Sequence, residues 1–240
     1  RRSMWYGALI PIFVGSLTAL HRYDPAYPII DLFWFLPLVG QQVLRLSISF
    51  SMVGFSYFIN TNIAAGIWLF HILSKLEKEI LFLTGITSDQ KISYGVSSMP
   101  LMGYQGLGAL LAMVLLGLWM GREHLMNVFG KALGTRPHID DSDEIISYRT
   151  AVFGLVGSIS LMSLWFYIMG TKPWVSILFV IVALLIFIGI TRIVCEAGLA
   201  AVRTPMIAPD LVTLGFGSTL VGATSIWNLS LAYIWASDVR

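Results

Sequence analysis

The chain has 240 residues, 57% hydrophobic and only 12% charged, with a mean hydropathy of +0.79. Soluble domains carry about 25% charged residues, so this composition excludes an ordinary water-soluble globule and points to a multi-spanning helical membrane protein. The apolar runs are long and continuous, which excludes the period-two alternation of a transmembrane β-barrel, and a net charge of +2 without a basic stripe leaves no footprint for nucleic acid.

The first residues, Arg1-Arg2-Ser3, and the last, Ser237-Asp238-Val239-Arg240, read as the ends of a stretch from a longer protein. An apolar run at 4–20 reads as a first span entering from a basic interface, with Trp5 and Tyr6 as interfacial aromatics. A signal peptide is the competing reading of the two arginines before an apolar run, and Pro11 speaks against it. His21 to Pro28 is a polar break punctuated by Pro25 and Pro28. Residues 29–40 are apolar but too few to cross a bilayer, so an interfacial or re-entrant piece is expected there.

Residues 46–73 are apolar but interrupted by Asn60-Thr61-Asn62. Neither half is long enough to cross alone. The segment is either a broken helix or hairpin of the kind that exposes backbone to a solute, or a kinked helix whose asparagines bond a neighbour. Lys75 and Glu79, at i,i+4, read as a solvated helix end. A loop rich in Ser, Gly and Thr follows at 84–100, then a span at 105–121 containing Gly117 and Gly121 at GxxxG spacing, a weak signal for close helix contact.

Residues 122–133 are amphipathic, with Leu125, Phe129, Ala132 and Leu133 on one face, and fit an interfacial helix. A polar loop at 134–148 carries Asp140, Asp141, Asp143 and Glu144. Calcium would need a turn glycine that this cluster lacks, so it reads as solvated. A span at 150–170 shows Gly154 and Ser158 as a small-residue face, and Thr171-Lys172-Pro173 turns the chain into the next.

That next segment, 174–202, is the most apolar. Trp174 to Thr191 carries no charge, and a helix of that length spans about 27 Å, close to the thickness of bilayer hydrocarbon. Arg192 and Glu196 follow one turn apart, and the sequence stays apolar to Val202. A helix continuing to 202 places both charges inside the membrane, as an ion pair or as a substrate or proton site. The other reading is that Arg192 snorkels to the interface. Cys195 lies in the same run and reads as inert packing. Pro205 and Pro209 end this helix, Asp210 is placed to cap the next, and the segment 211–236 is polar enough, through residues such as Thr213, Ser225 and Asn228, to face a pore or a protein interior.

Orientation is contested by the charges. Arg122, Lys131, Arg136 and Arg149 argue for a cytoplasmic loop, and Lys75, Lys78 and Lys91 argue the same for the preceding one, although a single span separates them. A hairpin near Asn60–Asn62 would resolve the conflict.

No Walker A, Gly-x-Ser-x-Gly or His-Glu-x-x-His pattern occurs, and the four histidines show no ligand spacing. His71, within an apolar segment, reads as a helix–helix hydrogen-bonding residue, with proton relay or haem ligation as rarer alternatives. No enzyme activity, metal or cofactor is expected.

Several segments together resemble one family: Gly54-Phe-Ser-Tyr57, Ile67-Trp-Leu-Phe70 and Leu73-Ser-Lys-Leu-Glu77; Asp141-Ser142 with Ile146-Ser-Tyr-Arg-Thr-Ala151; and Thr191-Arg-Ile-Val-Cys-Glu-Ala-Gly198. They resemble an uncharacterised bacterial group of multi-spanning proteins beside the oligopeptide transporter superfamily. The resemblance implies a secondary-transporter-like fold with re-entrant segments in a bacterial inner membrane, with proton-driven uptake of peptides or metal chelates.

The expectation is therefore an all-α integral membrane protein, a polytopic helical bundle with re-entrant or broken helices, forming part of a longer transporter-like chain. Arg192, Glu196, Asn60, Asn62, Tyr57 and Asn228 are the candidate substrate or ion pathway. The partners expected are the lipid bilayer, a peptide or other small solute, and further copies or subunits of a membrane complex. The alternative is a structural or accessory subunit that transports nothing.

Overall fold

A computed structural model of the chain describes residues 2–38, 40, 42–86, 100–136, 138–199, 202–232 and 238–239. Among these residues the chain forms ten helices and two small antiparallel sheets, so it is mostly but not wholly α-helical. It divides into two units, 1–87 and 88–240.

The first unit begins with α1 (Arg2–Tyr23), a helix that covers residues 4–20 and carries Pro11 internally but is not among the described helices long and apolar enough to cross a membrane. Asp24 ends the helix in an Asx turn, its carboxylate accepting from the Ala26 amide at 3.0 Å. The segment expected to be interfacial or re-entrant instead supplies β1 (Phe33–Pro37), paired antiparallel with β2 (Val43–Ser47). Aromatic and branched residues at Phe33, Trp34, Phe35 and Val43 favour extended backbone, and Gly40, at φ +56°, turns the chain between the strands.

Residues 46–73 are thus not one broken span. They divide among β2, α2 (Phe50–Ser56) and α3 (Thr61–Leu83). The interruption at Asn60 is a helix start: its extended backbone precedes α3, and its side chain accepts from the Asn62 amide at 2.9 Å.

The helix also continues beyond the expected polar end. Glu79 is 3% exposed rather than solvated, because its carboxylate occupies the space beside Gly40 that a Cβ there would fill. The i,i+4 reading considered only the helix's own neighbours and missed the hairpin laid against it.

The second unit is built on α4 (Pro100–Met120), α5 (Arg122–Ala132), α6 (Tyr148–Ile168) and α7 (Pro173–Ala197). Among the described residues α4, α6 and α7 are the helices long and apolar enough to cross a membrane. They match the expected spans at 105–121, 150–170 and 174–202 except at their ends. Most of the expected 84–100 loop lies outside the described residues.

The core forms around α7, where Phe179, Val180, Ala183, Ile186 and Ile190 are buried. Gly189 lets α4 approach closely: a Cβ there would come within 2.9 Å of Leu110 and Val114. On the α6 side, Phe166 meets Phe179 edge-to-face with centroids 5.1 Å apart, a geometry worth about 0.5–1.5 kcal/mol beyond its buried area.

α7 ends at Ala197 because Gly198 takes the left-handed conformation, φ +63°. The expected continuation to 202 is therefore wrong; β3 (Val202–Arg203) begins a new element. The single long helix expected at 211–236 is also absent over its described part. In its place stand α8 (Ala208–Phe216), α9 (Ser218–Val221) and α10 (Ala223–Leu231). Gly217 and Gly222 separate them, with φ +81° and +88° and ψ near 150°. That region is essentially restricted to glycine, so the helix has to break twice. Residues 233–236 of the expected span lie outside the described residues.

Beyond β3, β4 (Asp238–Val239) pairs with it in an antiparallel register. In between, α10 is bonded to the turn that precedes α7. α10 therefore lies at the start of α7.

Candidate functional site

Helices α9 and α10 are tied to the 169–172 turn by several side-chain bonds. Asn228, 5% exposed, donates to the Met169 carbonyl at 2.8 Å and to Thr171 Oγ1 at 3.0 Å. The buried Ser225 hydroxyl accepts from the Lys172 amide at 3.2 Å. Lys172 reaches the other way, its ammonium donating to the Leu220 carbonyl at 2.7 Å. Leu220 lies in α9, so the cation sits where that short helix's carbonyls have no partners of their own.

Gly170, at φ +92°, makes the tight turn. It brings Thr224 Cγ2 to 3.4 Å from where a Cβ would stand, and Lys172 Cε lies at the same distance from that position on Gly222. One side of the contact is thus a glycine turn ending α6, the other a glycine corner starting α10.

Residues 204–210 are buried differently. Thr204 is buried and donates to the Met206 carbonyl at 2.6 Å. Met206, Ile207 and Ala208 are wholly enclosed, and Gly106 of α4 accommodates Pro205, which a Cβ would meet at 2.9 Å. Asp210 is buried in the first turn of α8, whose cap is Ile207. It does not cap the helix as the sequence implied, although a carboxylate in this turn still meets the positive end of the helix dipole.

Arg192 and Glu196 are paired, Nε to Oε1 at 2.6 Å, with side-chain exposures of 33% and 61%. They lie in the last two turns of α7, not within an apolar helix reaching 202. The pair belongs to the helix end. The inner side of Arg192 is supported by α4, where the guanidinium fills the place of a side chain at Gly117. Cys195 is exposed, so the packing role expected for it is not found.

In the first unit, Asn60 and Asn62 are exposed, the one capping α3 and the other providing the capped amide. Tyr57 is exposed at the end of α2, its ring edge-on to Phe58 at 5.8 Å. His71 is exposed on α3. Within the second unit the candidates do not converge: Asn228 binds before the first residue of α7, and Arg192 stands about 28 Å farther along its axis.

The sequence reading named Asn228 but missed Thr171, Lys172 and Ser225 as its companions. Lys172-Pro173 and the spaced glycines 217 and 222 were the available signals, and they identify turns without identifying what the turns meet.

The acidic loop before α6 is organised by protein groups. Lys131 Nζ bonds Asp141 at 2.6 Å and also the Ile139 carbonyl, while the other Asp141 oxygen accepts from the Tyr148 amide at 3.0 Å. The Lys131 hydrogen bond, followed by the amide, holds the Asp141 carboxyl below the usual carboxylate range. Asp140 is lowered chiefly by the Ser142 amide. Among the described residues no group of His, Cys, Asp or Glu is placed to hold a metal ion.

A comparison with curated proteins returns no match, and a comparison with solved structures returns none either. A family model described as a family of unknown function, DUF6785, matches residues 1–240, and the chain belongs to that family.

Proposed function

We propose that this chain is a solute-translocating core of a bacterial inner-membrane protein, with the 204–232 segment as the element that lines the path. The observation carrying this reading is that the segment is broken at Gly217 and Gly222 and that its last short helix is bonded to the turn before α7. Beside an apolar helix of spanning length, irregular backbone is tolerated only where protein covers it or water reaches it. Discontinuous helices at such depth are the usual solute-binding elements of secondary transporters. The resemblance to relatives of the oligopeptide transporters supports proton-driven uptake of small peptides as the activity to test.

The full-length protein, reconstituted into vesicles with an acidic exterior, should accumulate a radiolabelled tripeptide faster than protein-free vesicles, and a protonophore should abolish the difference. Equal uptake with and without protein, for peptides and for metal chelates, would overturn the proposal.

A non-transporting subunit is the second reading. The exposed Arg192–Glu196 pair favours it, because a charge pair at a helix end needs no role in coupling. Glu196→Gln should then leave uptake unchanged. Loss of proton coupling in that variant would return Glu196 to the mechanism.

A further inference from the structure

We propose that α5 lies in the plane of the membrane, with Met126, Phe129 and Leu133 inserted at the boundary between headgroups and acyl chains. These three residues follow i, i+3, i+7 spacing, so they form one stripe along the helix. They are 52%, 45% and 69% exposed. The sequence had placed Ala132 on this face, but Ala132 is buried and Met126 takes its place.

Part of the remaining surface of α5 is covered by the protein itself. Gly130 lies under the Arg136 side chain, which a Cβ there would meet at 3.0 Å. Lys131, opposite the stripe, holds the following loop through Asp141 and the Ile139 carbonyl. Among the apolar side chains of α5 and its cap, those of the stripe are the exposed ones, while Leu125 and Val128 are half-buried and Ala132 is buried.

Continuity with α4 identifies the occupant. α4 is of spanning length, and its last turns expose Leu115, Leu116, Trp119 and Met120. Only Gly121 separates α4 from α5. At this corner the Arg122 guanidinium lies 5.0 Å from the centre of the Trp119 ring and donates to the Trp119 carbonyl at 3.1 Å. An arginine stacked on tryptophan at the end of an apolar helix marks the interfacial level. An amphipathic helix starting at that level and exposing an apolar stripe meets lipid.

The test uses the full-length protein with its cysteines, Cys195 included, replaced by serine. A nitroxide is attached at Met126→Cys, Phe129→Cys or, on the opposite face, His124→Cys, and the protein is reconstituted in phosphatidylcholine–phosphatidylglycerol vesicles. Accessibility to oxygen relative to a water-soluble nickel chelate should be several-fold higher at 126 and 129 than at 124. Nickel access at 126 and 129 equal to that at 124 would overturn the proposal in favour of a solvent-facing helix. Shielding of 126 and 129 from both reagents would overturn it in favour of a protein partner. Circular dichroism of each labelled variant identifies any that has lost its fold, and Leu133→Cys then replaces it.

Discussion

The guanidinium of Arg192 occupies the space that a side chain on Gly117 would fill. Two features of different helices, a charge near the end of α7 and a glycine near the end of α4, are therefore one packing unit. Alanine in a helix interior is normally about 1 kcal/mol better than glycine. In the native background Gly117→Ala should lose most of that gain by displacing the guanidinium, and in an Arg192→Ala background it should recover it. Thermal unfolding of the four members of this cycle in detergent measures the coupling. An identical shift from Gly117→Ala in both backgrounds would refute the contact.

Asn228 should be the strongest single anchor of α10. Asn228→Ala removes donors to the Met169 carbonyl and Thr171 Oγ1. Leaving buried acceptors unpaired costs roughly 1–3 kcal/mol. Hydrogen exchange should show loss of protection first in α10 and in the 169–172 turn. Protection unchanged at both places would show that the bonds do not hold the helix.

Gly217 separates backbone strain from crowding. Nothing lies within 4 Å of where its Cβ would be, yet its φ is +81°. Gly217→Ala should therefore destabilise by about 1–3 kcal/mol through conformation alone. Gly215 is equally uncrowded but helical, so Gly215→Ala should be neutral or stabilising. Similar melting shifts for the two variants would contradict the corner at 217.

The loop before α6 should loosen in acid. The Asp141 carboxyl is held below its ordinary range by Lys131 and the Tyr148 amide. A depressed carboxyl contributes its stabilisation above the unfolded-state pKa and loses it as pH falls through the lower folded value. Amide protection across 139–148, corrected for intrinsic exchange, should fall over that window. Asp141→Asn should be less protected at neutral pH and show a flatter dependence, whereas an unchanged profile would remove Asp141 as the cause.

Asn60 should matter for folding more than for any solute. Asn60→Ala should cost about 0.5–2 kcal/mol as the loss of a helix cap, whereas Asn62→Ala, which retains the capped amide, should cost little. A larger effect at 62 than at 60 on stability or uptake would reopen the pathway reading.

Hydropathy along the sequence was enough to find the three helices of spanning length and an amphipathic α5, and it noticed the interruption at Asn60 without reading it as the cap of a new helix. Each of these depends on near neighbours along the chain. What those elements meet was settled only in three dimensions. Glu79 reads as solvated until the Gly40 turn lies against it, and Arg192 near the helix end acquires its support from Gly117, far away in the chain. The most apolar and polar stretches after residue 173 looked like two helices. Two glycines in a conformation closed to other residues break the second into three short helices, and Asn228 and Ser225 tie the last of them to the start of α7. Hydropathy measures preference for an environment, and it is long-range contact that decides which environment each residue receives.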